Sequence, residues 1–263
     1  MLEQYRAEID ECDVNLIATL CRRLAVAERI AAYKLEQGLD LYQPEREAAI
    51  LERLAGDPRN YPYGQQIKEL YQSLFRVSRE VQMEKMLPLN IVLIGFMGSG
   101  KTSIGQYLAN VGGYEFVDVD LEIENRTRLS VPEIFSRFGE RCFRDLEKEV
   151  VMAVPKDKRA IIACGGGTVI DTENVRYLKQ LGKLIWLDAS VETLYKRIQL
   201  QGGRPLAQDK TLEDFREMYY KRQEYYRSAA DCRVDTENRD ICALANRIMH
   251  MGAQLQNEIK PGL

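Results

Sequence analysis

The residues richest in chemical meaning lie a third of the way along the chain. Gly95-Phe-Met-Gly98-Ser99-Gly100-Lys101-Thr102 fits the pattern G-x-x-x-x-G-K-[ST]. Glycines in such a loop let backbone N–H groups curl around phosphate oxygens, and a following helix N-terminus adds a favourable dipole. Lys101 would reach the β and γ phosphates, and the Thr102 hydroxyl would ligate Mg²⁺. Gly98, Ser99, Gly100, Lys101, Thr102 and Ser103 are therefore the expected nucleotide contacts. Such a loop serves GTPases, ATPases and small-molecule kinases alike, so the residues downstream must separate them. In GYEFVDVDLEIE, Asp118 and Asp120 are expected at a strand end, two apart and on one side, where carboxylates can hold a magnesium-bound water and accept a hydroxyl proton. The alternative is that one of them caps the next helix. Arg144 falls on a predicted helix, and Gly165-Gly166-Gly167 follow a predicted strand. Three glycines there require a close backbone approach, or make a plain tight turn. Arg204, in GGRPLA, is placed where a lid arginine could close over a transferring phosphoryl group.

The first 88 residues carry a second set of charged and polar groups. Arg23 and Lys34 are eleven apart on a predicted helix, which returns them to within roughly 20° of one face, so they can line one pocket. Arg6 lies about 25 Å away along the same axis and about 100° around it, so within a straight helix it cannot serve that pocket, and if functional it must reach the pocket of another subunit. Arg46 and Glu47 occupy the first turn of the next predicted helix, and Ser78 and Gln82 are i and i+4 on the third. Taken singly, each of these also reads as an ordinary solvated charge or polar group.

The elements that must carry these groups change character at Pro88. Before it, Leu2, Tyr5, Ile9, Cys12, Leu16, Leu20, Leu24, Ala27 and Ala31 recur at spacings of three and four, which predicts one long helix to about Lys34, stopped at Gly38. A second helix is predicted from Pro44 to the Gly56-Asp57-Pro58 break, and a third from Tyr63 to Met86. After Pro88, LNIVLIG is a short apolar run rich in branched residues, the signature of a buried parallel strand. Two domains are expected, an all-α three-helix domain over 1–88 and an α/β domain over 89–263, the latter a parallel sheet flanked by helices around a P-loop. No Gly/Ser-rich linker separates them.

Composition narrows the classes. The 37 Lys and Arg against 40 Asp and Glu give a net charge of -3, and nothing there calls for nucleic acid or an anionic membrane. The charged opening MLEQYRAEIDECDVN has no signal-peptide core and no apolar run approaches a membrane span, so a cytoplasmic enzyme is expected. Six dispersed cysteines form no C-x-x-C pair, which argues against a disulfide framework or a zinc site. His250 is the one histidine, so triads and two-imidazole metal sites are out and phosphoryl or proton-independent chemistry is favoured.

The order P-loop, Asp118, Asp120, Arg144, glycine triplet, Arg204, Arg222 resembles shikimate kinases across essentially all of 89–263. The resemblance implies ATP as phosphate donor and shikimate as acceptor, phosphorylated at its 3-hydroxyl. It also implies Asp120 on the substrate hydroxyls, Arg144 and Arg222 clamping the carboxylate, and Gly165, Gly166 and Gly167 lining that pocket. Arg204 would be the lid arginine, Asp118 would hold Mg²⁺ through water, and Arg197 and Arg239 would flank the adenine. Two arginines around one planar anion also give orientation independently. LAQDKTLED after Arg204 departs from the pattern. A gluconate-type P-loop kinase is the rival reading. Residues 1–88 resemble the all-helical chorismate mutases, in which two chains interleave as a homodimer. Arg6 of the partner chain, Arg23 and Arg46 would then bind the chorismate carboxylates, Lys34 and Gln82 the ether oxygen, Glu47 the ring hydroxyl, and Ser78 would join the substrate contacts. Gln43 stands where some members carry an aspartate. The rival here is a non-catalytic dimerisation or effector-binding module of the same fold.

Overall fold

The computed structural model describes residues 1–40, 42–87, 90–156, 159–201, 211–237 and 240–257. The chain divides into two compact units, Met1–Met86 with Val111–Gly113, and Leu87–Asn110 with the chain from Tyr114 on. Among the described residues no helix is long and apolar enough to cross a membrane.

In the first unit α1 (Leu2–Glu36), α2 (Pro44–Ala55) and α3 (Gly64–Met86) form an all-helical arrangement. Pro44 opens α2 at the position where a missing N–H costs nothing. α3 packs on both other helices. Its Phe75 and Met83 are buried, as are Ala27 and Ala31 of α1, whose small side chains allow close approach. The N-terminal half of α1 is different, for its apolar residues stand in solvent and its residues before Leu20 are all exposed.

The second unit is built on five parallel strands in the order β2-β3-β1-β4-β5: β1 (Asn90–Ile94), β2 (Glu115–Asp118), β3 (Ala160–Ala163), β4 (Gly182–Asp188) and β5 (Cys232–Asp235). β1 and β3 are buried at every residue, as strands covered by helices on both faces must be. The helices are α4 (Lys101–Gly112), α5 (Val119–Thr127), α6 (Val131–Met152), α7 (Thr172–Leu181), α8 (Val191–Gln201), α9 (Leu212–Ala229) and α10 (Ile241–Asn257). β1 sits at the centre, with β3 on one side and β4 on the other. The loop after it therefore opens at the point where the strand order reverses, which is where open α/β sheets place ligands. α6 is broken at Gly139, whose φ of 80° takes it out of the helical region, so Arg144 lies on a second, separately aimed segment.

One expectation needs correction. The strand expected to carry both aspartates ends at Asp118, and Asp120 lies in the first turn of α5. The Asp118 side chain accepts from the backbone N–H of Asp120 (3.1 Å) and Leu121 (3.2 Å). That N-cap turns the chain into a helix two residues sooner than the alternating pattern suggests.

Candidate active sites

The P-loop lies between β1 and α4. Gly98 and Gly100 have φ of 81° and 90°, open to glycine at little cost, and these bends turn the loop back on itself. The buried Lys101 Nζ donates to the carbonyls of Gly95 (2.9 Å) and Phe96 (3.0 Å), so the ammonium is held across the mouth of the loop. Gly98, Gly100, Lys101, Thr102, Ser103, Asp118, Asp120 and Cys164 surround one cavity. Ser99 is fully buried with the loop, and its Oγ has no hydrogen-bond partner among the described residues. The Thr102 hydroxyl donates to Asp118 Oδ2 at 2.7 Å. Two hard oxygens thus converge beside the P-loop, a donor set that fits Mg²⁺. Among the described residues no three carboxylate, imidazole or thiol groups cluster to hold a metal by themselves, so such an ion would rely on water and phosphate for its remaining ligands. Burial pushes the Cys164 thiol well above its ordinary range, which favours the neutral form.

The glycine triplet Gly165–Gly167 is the hub of a neighbouring cluster of charged side chains. None of its residues takes up a positive φ; what they provide is room. A Cβ on Gly165 would stand 2.6 Å from Asp120 Oδ1 and 2.7 Å from Glu147 Oε1, and one on Gly167 would stand 2.6 Å from Arg144 Nη1. From α9, Tyr226 donates its hydroxyl to the Gly166 carbonyl at 2.5 Å, and Arg222 Nη1 reaches the same oxygen at 3.5 Å. The Arg222 guanidinium lies over Phe96 of the P-loop, 5.8 Å from its ring centroid. A carboxylate on α5, an arginine on α6 and an arginine on α9 are thereby gathered around one glycine turn, next to the phosphate loop.

Sequence reasoning missed Glu147. Its side chain is 1% exposed, pairs with Arg144 Nη1 at 2.8 Å and accepts from the Thr168 hydroxyl at 2.7 Å. Burial works against the Arg144 charge, but the pair with Glu147 outweighs it and holds the guanidinium firmly protonated, with Glu140 adding a second contact at 3.0 Å. The available signal was position. Glu147 shares a helix face with Phe143 and Val150, both buried. Arg197 donates to the carbonyls of Thr236 (2.6 Å) and Glu237 (3.1 Å), with a longer contact to Gly98 at 3.5 Å, so it ties the segment after β5 to the P-loop. Arg204 and Arg239 lie outside the described residues.

In the helical unit Arg23, Lys34, Arg46, Glu47, Ser78 and Gln82 line one cleft of about 290 Å³, close to the lower end of the range for small-molecule sites, together with Gln43, Phe75 and Arg79. Arg23 donates to the Ser78 hydroxyl, which in turn donates to the Leu74 carbonyl at 2.6 Å, and the Arg23 guanidinium lies over Phe75. Burial, and then the nearby Arg46 charge, pull the Lys34 ammonium below its ordinary pKa, against the opposing pull of Asp40 and Glu47. Arg6 is exposed on α1 and is not among the residues lining this cleft.

The family model for shikimate kinase matches residues 97–252, more than half of the chain. The chain belongs to the shikimate kinase family. The model for chorismate mutase type II matches residues 5–83, so a chorismate mutase domain is fused ahead of the shikimate kinase domain. The shikimate kinase of Moorella thermoacetica is 44% identical over 162 residues, which cover 62% of this chain and 93% of that one. A solved shikimate kinase from Acinetobacter baumannii, in complex with shikimate, is 34% identical with a TM-score of 0.61, covering 68% of this chain and 99% of that chain. The Aquifex aeolicus shikimate kinase structure is 29% identical with a TM-score of 0.54, covering 66% and 100%. Family membership makes ATP the co-substrate of the larger domain.

Proposed function

We propose that the domain over 89–263 transfers the γ-phosphate of ATP to the 3-hydroxyl of shikimate, and that the domain over 1–88 rearranges chorismate to prephenate. The observation that carries the first half is the gathering of Asp120, Arg144 and Arg222 around Gly165–Gly167 beside the P-loop. In this reading the P-loop amides and Lys101 take the ATP phosphates, with Gly98, Ser99, Gly100, Thr102 and Ser103 completing the cradle. Thr102 and Asp118 would hold Mg²⁺, which neutralises charge on the β and γ phosphates when bound. Arg144 and Arg222 grip the shikimate carboxylate and so fix the ring. Asp120 accepts the proton of the attacking hydroxyl. Glu147 keeps Arg144 charged and aimed, and Arg197 braces the nucleotide side. Positioning and charge neutralisation carry the reaction.

The cleft of the helical domain supports the second activity. A pericyclic rearrangement needs no base and no nucleophile, only a compact substrate and a cation at the breaking C–O bond. Arg23, Arg46 and Lys34 supply positive charge for two carboxylates and an ether oxygen, Gln82 joins Lys34, and Glu47 meets the ring hydroxyl. Arg6 enters from a second copy. A homodimer is supported by Leu2, Tyr5, Ile9 and Leu16, which stand 56–64% exposed at helical spacing along α1 and would be covered by a partner helix. The reading puts the protein in the cytoplasm, where ATP is at hand.

The test is a paired assay on the purified full chain. Shikimate with ATP should yield ADP and shikimate 3-phosphate, and chorismate should yield prephenate. ADP release with gluconate but not shikimate would sink the kinase assignment. Kinase turnover without prephenate would make the helical domain a dimerisation or effector module.

A further inference from the structure

The cleft of the helical domain contains one charged residue that its proposed chemistry leaves without a task. Arg79, on α3, lines the cleft directly after Ser78. Its Nη1 donates to both carboxylate oxygens of Glu47 on α2, each at 2.6 Å. The same guanidinium lies over the ring of Tyr42, 5.3 Å from the centroid, a second contact on the group. The two charged side chains are 19% and 26% exposed, so water screens their attraction only in part.

The placement matters because of what else Glu47 could pair with. It follows Arg46 in the chain, and its charge already acts on Lys34. A carboxylate left loose among Arg23, Lys34 and Arg46 would swing to whichever of them it could reach, and would compete there with an anionic substrate. Arg79 draws it to the α3 wall. Adjacent residues on one helix thus hold opposite charges of the cleft: Ser78 takes Arg23, and Arg79 takes Glu47.

We propose that Arg79 is a positioning residue of the mutase cleft, which holds the Glu47 carboxylate in the orientation that meets the substrate's ring hydroxyl and away from the cations that take its carboxylates. This inference rests on the mutase reading above. Helical amphipathicity gives no hint of it, for an arginine on α3 reads as a solvated charge until Glu47 is seen opposite.

A double-mutant cycle on the full chain tests it. Arg79→Met should lower kcat/KM for chorismate about tenfold, or about 1.4 kcal/mol, inside the range for contacting pairs. Glu47→Ala should lower it at least as far, and the double variant should be no worse than Glu47→Ala. Shikimate-dependent ADP release and the melting temperature report that each chain is folded. Should Arg79→Met fail to fold, Arg79→Lys keeps the charge, gives up the planar fork, and carries the same cycle. Losses that multiply in the double variant would overturn the proposal, since Arg79 would then act on the substrate by itself. So would wild-type kcat/KM in Arg79→Met. A wild-type chain that forms no prephenate would instead sink the mutase reading, and that outcome is separate from an additive cycle in an active enzyme.

Discussion

Glu147→Gln removes one charge and almost no volume from the buried pair that aims Arg144. Thr168 can still donate to the new amide oxygen, so the packing around Gly165 is kept and only the charge partner is lost. Breaking a buried pair costs about 3–5 kcal/mol when a charge is left stranded. Arg144 is 27% exposed and retains Glu140, so water and the second carboxylate offset part of this and about 2 kcal/mol remains. For a domain of this size that lowers the melting temperature by about 4–8 °C. The functional effect is larger and one-sided. On the proposed reading Arg144 grips the acceptor's carboxylate, and a guanidinium held by Glu140 alone meets it in a less fixed geometry, so the shikimate KM should rise about tenfold. The KM for ATP, bound across the P-loop, should change less than about twofold. Steady-state ADP release at varied shikimate and varied ATP, together with a thermal melt, gives all three numbers. A fall in melting temperature with an unchanged shikimate KM would refute the reasoning, because Glu147 would then serve the core and not the arginine.

Gly165→Ala sets a methyl group 2.6 Å from Asp120 Oδ1 and 2.7 Å from Glu147 Oε1, so phosphoryl transfer should fall at least about a hundredfold, while titration calorimetry still shows nucleotide binding. Lys101→Ala should abolish shikimate phosphorylation and leave prephenate formation intact; loss of both activities in parallel assays would show that the domains are coupled. The Lys34 ammonium is held below the usual lysine range by burial and by Arg46, so mutase kcat/KM should break downward at a pH below 10.5, and Arg46→Gln should move the break upward. The sign for stability is the reverse: the folded chain gives up this proton before the unfolded chain does, so the group's contribution to stability rises with pH between the two pKa values. An Arg6→Ala chain and an Arg23→Ala chain, each inactive as a mutase, should on subunit exchange recover about a quarter of wild-type turnover, since half the dimers are mixed and each mixed dimer holds one intact site. No recovery after demonstrated exchange would count against shared sites.

Much of the fold was legible because periodicity and punctuation agreed. The three-and-four spacing of α1, Pro44 at the head of α2 and the apolar run of β1 each have a local cause, and each element formed within a few residues of its expected limits. Asp120 was misplaced because EFVDVD alternates like a strand, and alternation cannot reveal that the first aspartate will cap a helix. Glu147 and Arg79 were missed for a shared reason. A charged residue on an amphipathic helix reads as solvated unless its partner is known, and those partners come either from one turn away on the same helix or from another helix 32 residues away in sequence. The glycine triplet carried the right signal, a close approach, without saying what approaches; Asp120, Glu147 and Arg144 all do.

The central claim is that one pocket beside the P-loop takes a compact carboxylic acid by two arginines and presents its hydroxyl to Asp120. A crystal of the chain with a non-hydrolysable ATP analogue and shikimate tests it most directly. Arg144 and Arg222 should lie within hydrogen-bond distance of the shikimate carboxylate, and Asp120 of the hydroxyl nearest the γ-phosphate. Shikimate bound elsewhere, or in this pocket with its carboxylate turned away from both arginines, would contradict the account.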